Sequence, residues 1–136
     1  MSVFTDKWID EHKDELVEKL QQCVRINSVR DDGSAREGAP FGEGAAKCLE
    51  DTPNTAKAMG FEVKNLDGYC GTVDYGTGEE QLGILAHLDV VPEGEGWTYP
   101  PYAAEIHDGR LYGRGTMDDK GPAFAALFGL AAVKAS

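Results

Sequence analysis

The sequence predicts an α/β fold, because segments with helical character at both ends of the chain enclose a central region rich in β-forming residues. Apolar residues recur at helical spacing near the amino terminus, a nearly continuous apolar run occupies residues 81–91, and a second apolar segment covers 122–135. The chain has 136 residues, 41% of them hydrophobic, so it can bury a core as one ordinary domain.

The helices are predicted from periodicity and from proline. Residues 5–25 form an amphipathic first helix, and a long Gly- and Asp-rich connection follows at 30–44. A second helix is predicted over about 43–59, but Pro53 lies in its middle and should break or kink it. An alternative start at 51 or 52 would place that proline in the first turn, where it is tolerated. The last helix, 122–135, is apolar all round and requires cover on most sides.

Two hairpins and one buried strand are predicted between the helices. Residues 61–76 and 103–113 each contain β-forming stretches around an Asp-Gly pair, at 67–68 and 108–109, which is a strong hairpin signal. The apolar run 81–91 is typical of a strand buried on both faces of a sheet.

Charge and cysteine usage narrow the functional class. Acidic residues outnumber basic ones, 24 to 13, for a net charge of −11, which argues against nucleic acid or an anionic membrane as the main partner. Residues 1–25 are charged throughout and lack the apolar core of a signal peptide. Cys23, Cys48 and Cys70 contain no CxxC pair, so we expect small, reduced, buried thiols in a cytoplasmic protein.

The first chemical cluster follows the predicted central strand. His87 and Asp89 lie at positions i and i+2, so on a strand both side chains point to the same side. Ligands in open α/β sheets bind at the carboxyl ends of strands. A neutral imidazole is a good zinc ligand, and a neighbouring carboxylate can fix its tautomer. A histidine at a strand end is, however, often only structural.

The second cluster is GRGTMDDKGP, residues 113–122. Gly113 and Gly115 permit unusual backbone angles just before the last helix. Asp118 and Asp119 repel each other, and Lys120 is only a modest offset, so a divalent metal is the stronger explanation for the pair. The alternative is a helix-capping aspartate with a solvated neighbour.

Taken together, residues 87–122 closely resemble the signature of a zinc-dependent metallopeptidase family. That family contains dipeptidase V, carboxypeptidase G, aminoacylase and succinyl-diaminopimelate desuccinylase. The dipeptidase V branch is the most similar, because HLDVVPEGEGW, the Pro101-Tyr102 pair and GRGTMDDKGP occur together. The resemblance extends upstream through FEVKNLDGYCGTVDYGTGE and the RINSV segment, and so covers nearly the whole chain.

The resemblance implies a role for each site residue. His87 would bind one of two zinc ions, and Asp89, the catalytic aspartate, would orient it through the other ring nitrogen. Asp118 would bridge both metals, and the Asp118-Asp119 peptide would be cis. Asp119, Lys120, Gly113 and Gly115 would be structural, or would position the metal ligands without contacting the metal. Ligand chemistry leaves Mn²⁺ or Co²⁺ open as alternatives to Zn²⁺.

The resemblance also implies hydrolysis of a peptide or amide bond by metal-activated water, with a dipeptide or acyl-amino-acid substrate. The expected fold is then part of a three-layer catalytic domain, a mixed sheet with flanking helices. Residues 1–136 would be its amino-terminal portion. They would be truncated before the Glu-Glu pair that contains the catalytic base, before the other metal ligands, and before the lid or dimerisation domain. Such a fragment is expected to be inactive alone.

Several alternatives stay open. Glu79-Glu80 is the only adjacent glutamate pair that could substitute for the missing base, but it is typical of a solvated turn. His12 and His107 could substitute for a missing ligand, but both are typical surface histidines. Trp97, Tyr99 and Tyr102 could line the cleft or simply pack. The chain could instead be a non-catalytic folded fragment that binds metal weakly, or part of an N-acyl amino acid deacylase or desuccinylase. An unpaired sheet edge or the final helix is expected to drive homo-oligomerisation.

Overall fold

The computed structural model describes residues 3–136, and it confirms the α/β class. Three helices and two β-hairpins make up the fold. None of the helices in this range has both the length and the apolar composition needed to cross a bilayer. The elements in chain order are α1 (Val3–Val24), a short 3-10 turn (Asp32–Ser34), α2 (Glu43–Ala58), β1 (Glu62–Leu66), β2 (Cys70–Asp74), β3 (Glu105–His107), β4 (Arg110–Tyr112) and α3 (Lys120–Ala135).

Helix α3 is the centre of the core. Its Phe124 and Phe128 are fully or nearly fully buried in a cluster with Val24 and Leu20 of α1. Its other side contributes Leu127 to a second cluster that contains Ala56 of α2 and Phe61. The apolar sequence of α3 is therefore explained by packing against both other helices, as expected, although Val133 on its remaining face is 55% exposed.

Helix α2 runs unbroken through Pro53, so the expected break at that proline and the alternative start at residue 51 or 52 are both wrong. A proline within a helix removes one backbone hydrogen bond, and tertiary packing must offset that loss. Here the ring lies against β2 at Gly71, where an added Cβ would come within 3.2 Å of the Pro53 Cγ. The missing side chain at Gly71 thus makes room for the proline.

Both predicted hairpins form, and their turns follow the Asp-Gly signal. In β3–β4, His107 pairs with Arg110, so the turn contains only Asp108 and Gly109, both with positive φ. In β1–β2, Asp67 and Gly68 also have positive φ, but Leu66 pairs with Cys70. The first hairpin therefore has a three-residue connection.

The predicted strand at 81–91 is wrong. Its residues belong to neither sheet, and Leu82 and Leu85 are 89% and 100% exposed. Val90 alone pairs, through a parallel bridge to Val29. An apolar run becomes a buried strand only where neighbouring strands satisfy its backbone, and no strand in residues 3–136 runs beside 81–87.

Candidate metal site

His87 is held in place through both its backbone and its ring. The backbone N–H donates to the Asp119 Oδ2 at 3.2 Å. Ring Nδ1 lies 3.0 Å from the Asp89 carbonyl oxygen and 3.4 Å from the Asp89 Oδ1. Because a carbonyl oxygen can only accept, Nδ1 must carry the proton. The neutral ring then presents the lone pair of Nε2, the tautomer that a metal ligand requires.

Nε2 faces the carboxylate of Asp118, at 3.0 Å from Oδ1. A neutral imidazole nitrogen and a carboxylate oxygen are both acceptors, so this contact needs a proton or a cation between them. Partial burial lowers the pKa of His87, but hydrogen bonds to the Asp89 carbonyl and to Asp118, with the charges of both aspartates, outweigh it and raise the pKa above its usual value. The pair therefore attracts positive charge.

The Asp118-Asp119 peptide bond is cis, as the resemblance implies. The two carboxylates take different partners, since Asp118 faces the His87 ring and Asp119 accepts from the His87 backbone. Asp119 occupies the position before α3 but makes no side-chain capping hydrogen bond. The alternative of a helix-capping aspartate is thus wrong for this residue, and its carboxylate positions His87 instead.

Ser28 is a positioning residue that the sequence reading missed. Its side chain is fully buried, and its hydroxyl donates to the Leu88 carbonyl at 2.7 Å. Its own carbonyl accepts from the Val90 N–H at 3.3 Å. Ser28 therefore fixes the backbone on both sides of Asp89, at Leu88 and at Val90. The only available signal was its place in the RINSV segment, which does not by itself distinguish a buried serine from a loop serine.

The glycines of the second cluster are required by close packing. An added Cβ at Gly115, which has φ +90°, would come within 2.8 Å of the Val90 Cγ1, and one at Gly113 would overlap the Val24 side chain. Both positions therefore bring residues 113–119, called here the ligand loop because they contain the candidate ligand Asp118, directly against the core and the His87 segment. Side chains there would push Asp118 away from His87.

Lys120 does not offset the paired aspartates. Its side chain is fully buried, and Nζ donates to the carbonyl oxygens of Cys23 at 2.9 Å and Ile26 at 2.8 Å. The Cys23 carbonyl lies in the last turn of α1 and the Ile26 carbonyl lies two residues beyond the helix, in the region where a helix end needs further donors. Lys120 thus fixes the start of α3, and the aspartates before it, to α1.

The other candidate residues lie outside this site. The His12 ring stacks on Trp8 at 3.8 Å and contacts the Trp8 carbonyl through Nδ1. Glu79 and Glu80 are exposed in a bend. Within residues 3–136, no three His, Cys, Asp or Glu side chains converge as a metal-binding group. His87 and Asp118 therefore approach each other without a third side chain of this kind beside them in residues 3–136.

The aromatic residues after Asp89 form their own packed cluster. Trp97 Nε1 donates to the Glu93 carbonyl at 2.9 Å, and the Tyr102 hydroxyl donates to the Glu93 carboxylate at 3.0 Å. Burial, followed by that hydrogen bond, raises the pKa of Tyr102 to about 12. Tyr99 stacks on His107 at 3.8 Å. Packing is thus their observed role, although Trp97 and Tyr99 also line an open cavity of about 340 Å³.

Comparison with known proteins shows what this chain is similar to. Residues 83–136 match the model of peptidase family M20/M25/M40, and this span contains both His87 and Asp118. The resemblance to this metallopeptidase family is therefore confirmed.

The relatives are bacterial and are described as dipeptidases. The putative dipeptidase YtjP of Bacillus subtilis is 47% identical over 122 residues, 90% of this chain and 26% of that protein. The Beta-Ala-Xaa dipeptidase of Lactobacillus delbrueckii is 42% identical over 123 residues, with the same coverage. A putative dipeptidase of Staphylococcus epidermidis is 40% identical over 118 residues, 87% of this chain and 25% of that protein. The chain spans about a quarter of the length of these relatives.

Proposed function

We propose that this chain is the amino-terminal portion of the catalytic domain of a zinc-dependent dipeptidase, and that His87 and Asp118 are two of its metal ligands. The observation that carries the proposal is the 3.0 Å approach of two acceptor atoms, His87 Nε2 and Asp118 Oδ1. The side chains are 49% and 89% exposed, so further ligands and a substrate have access. The names of the relatives support a dipeptide as substrate.

The donor set fits a zinc ion. Ligand atoms about 2.0–2.2 Å from one ion can lie about 3 Å apart, and imidazole nitrogen with carboxylate oxygen is a common combination. A zinc ion held there would polarise a carbonyl oxygen and lower the pKa of water. In the chain itself, the Nδ1–H of His87 donates a hydrogen bond to the Asp89 carbonyl, and the His87 backbone N–H donates to Asp119. Mn²⁺ and Co²⁺ accept the same ligands and are the alternative ions.

Peptide hydrolysis by the proposed dipeptidase requires catalytic and metal-binding groups in addition to His87 and Asp118. We propose that the glutamate base, the remaining ligands and the second zinc ion belong to the whole dipeptidase, so residues 1–136 alone do not turn over substrate. An N-acyl amino acid deacylase or desuccinylase is the alternative within the class. Three unpaired thiols support a reducing, cytoplasmic location for the protein.

Replacing His87 by alanine tests the metal site. Loss of one of two ligands should weaken zinc binding on the order of 100-fold, measured by calorimetry on the purified chain. Binding to the parent chain should also weaken as pH falls through the raised pKa of His87, because a proton then competes for Nε2. His12→Ala is the matched control, because the His12 ring contacts Trp8 within α1, and this variant should leave the zinc affinity unchanged. Equal affinity of the His87 variant would refute the assignment.

Substrate class can be tested alongside. The parent chain and His87→Ala are incubated with zinc and either a β-alanyl dipeptide or an acetylated amino acid. We expect no release of amino acid from either. Turnover by the parent chain that disappears in the variant would show that residues 1–136 are catalytic alone, and preference for the acylated substrate would favour the deacylase alternative.

A second candidate role, self-association, is supported by the exposed apolar segment 82–85. Leu82, Ile84 and Leu85 are 89%, 66% and 100% exposed, and their backbone pairs with no strand of residues 3–136. Unpaired backbone that carries apolar side chains is a template for pairing with another copy. We expect a concentration-dependent dimer by light scattering, weakened in Leu82→Lys/Leu85→Lys but not in the control Glu79→Lys/Glu80→Lys. A monomer at about 100 μM would contradict this role.

A further inference from the structure

Two cysteines meet in the hydrophobic core. The Cys23 Sγ lies 3.8 Å from the Cys48 Sγ, and the two side chains join the last turn of α1 to α2. The residues are 3% and 0% exposed, whereas the third cysteine, Cys70, is exposed. The expectation that all three thiols are buried is therefore wrong for Cys70. The contact between Cys23 and Cys48 has no role in the metal site described above.

The surroundings of the pair favour a reactive thiolate. The thiol of Cys23 donates to Cys48, and this hydrogen bond, followed by the positive charge of Lys120, lowers the pKa of Cys48 although burial opposes the shift. The same pairing and burial raise the pKa of Cys23. Cys48 is thus the sulfur that reacts first as a thiolate, and Cys23 is the thiol that reacts with its oxidised form, as in known redox-active pairs.

A cavity reaches the pair at Cys23. A disulfide requires an S–S distance of about 2.05 Å, so the sulfurs must approach by about 1.8 Å. Cys23 lies at the edge of a cavity of about 460 Å³ between α1 and α2, which is also lined by Thr52 and Thr55 of α2. A small oxidant in this cavity therefore reaches the pair from the Cys23 side, 3.8 Å from the Cys48 sulfur.

We propose that Cys23 and Cys48 are a modification site at which hydrogen peroxide converts the two thiols into an intramolecular disulfide between α1 and α2. The Cys48 thiolate attacks the peroxide and becomes a sulfenic acid, while the leaving hydroxide takes up a proton to form water. The Cys23 sulfur then displaces the sulfenic hydroxyl, which leaves as a second water as the S–S bond forms. The thiols lose two electrons and two protons, and one peroxide is reduced to two waters.

The test uses Cys70→Ser as the parent, because it retains the buried pair and removes the exposed thiol. The folded protein is treated with hydrogen peroxide, and free thiols are counted after quenching and denaturation. We expect the count to fall from two to zero, the mass to fall by about 2 Da from the loss of two hydrogens, and dithiothreitol to reverse both. The product should remain monomeric on a non-reducing gel.

Three comparisons make the outcome decisive. Cys23→Ala and Cys48→Ala in the same background should each lose the reversible 2 Da product. The parent chain in urea, where the sulfurs are no longer held together, should form it at least about tenfold more slowly, since proximity drives the second step. Equal rates in the folded and unfolded chain would overturn the proposal, as would purely intermolecular cross-links or over-oxidation that dithiothreitol does not reverse. This result is independent of zinc binding, so it separates the cysteine proposal from the proposed function.

Discussion

Lys120→Met should lower the free energy of unfolding by about 3 kcal/mol. The substitution keeps the length and apolar stem of the side chain but removes the ammonium that donates to the Cys23 and Ile26 carbonyls. A hydrogen bond to a charged group contributes about 1.5–3 kcal/mol, and a buried acceptor left without a partner carries its full desolvation cost. The Cys23 carbonyl keeps the Ile26 N–H as a donor, so the loss falls mainly on the Ile26 carbonyl. Urea denaturation measures the effect.

Lys134→Met is the matched control for that prediction. Lys134 also donates to two backbone carbonyls after a helix, those of Met59 at 2.7 Å and Gly60 at 2.6 Å. Its contacts are partly solvent-exposed, so water can replace the lost donor and the expected loss is below about 1 kcal/mol. If both variants lost the same stability, burial would not be the reason that Lys120 matters.

The features predicted correctly from sequence are those that depend on local chemistry. The Asp108-Gly109 turn forms because both positions adopt positive φ, which aspartate and glycine tolerate in a two-residue hairpin loop. Helix α1 follows from its own periodicity. The pairing of His87 with Asp118 was expected only from the resemblance, since 31 residues separate them and no local pattern indicates that they meet.

The features predicted wrongly depend on distant partners. Residues 81–91 have the composition of a buried strand, but burial requires neighbouring strands that residues 3–136 do not provide. Pro53 is tolerated because Gly71, far along the chain, leaves space for its ring. Lys120 stands beside two aspartates in sequence, yet its side chain extends to the end of α1. In each case tertiary contacts override the local preference.

Gly121→Ala should disrupt the ligand loop and lower the free energy of unfolding by about 3 kcal/mol. A Cβ at this position would overlap the carbonyl oxygen of Thr116, and backbone cannot move aside as a flexible side chain can. The Gly121 N–H also closes the loop by donating to the Gly115 carbonyl at 3.4 Å. Opening that loop displaces Asp118 from His87, so zinc affinity should fall about tenfold as well, a loss that calorimetry would detect.

Gly129→Ala isolates the cause, because the same substitution in the same helix meets nothing within 4 Å. Alanine has the higher helix propensity by about 1 kcal/mol, and it also restricts the unfolded chain, so this variant should gain stability. Zinc affinity should not change, since Gly129 lies two turns beyond the ligand loop. A loss of zinc binding in Gly121→Ala with unchanged stability would assign Gly121 to the ligand geometry alone. Equal, small effects of both substitutions would show that the close contact with Thr116 does not hold the loop.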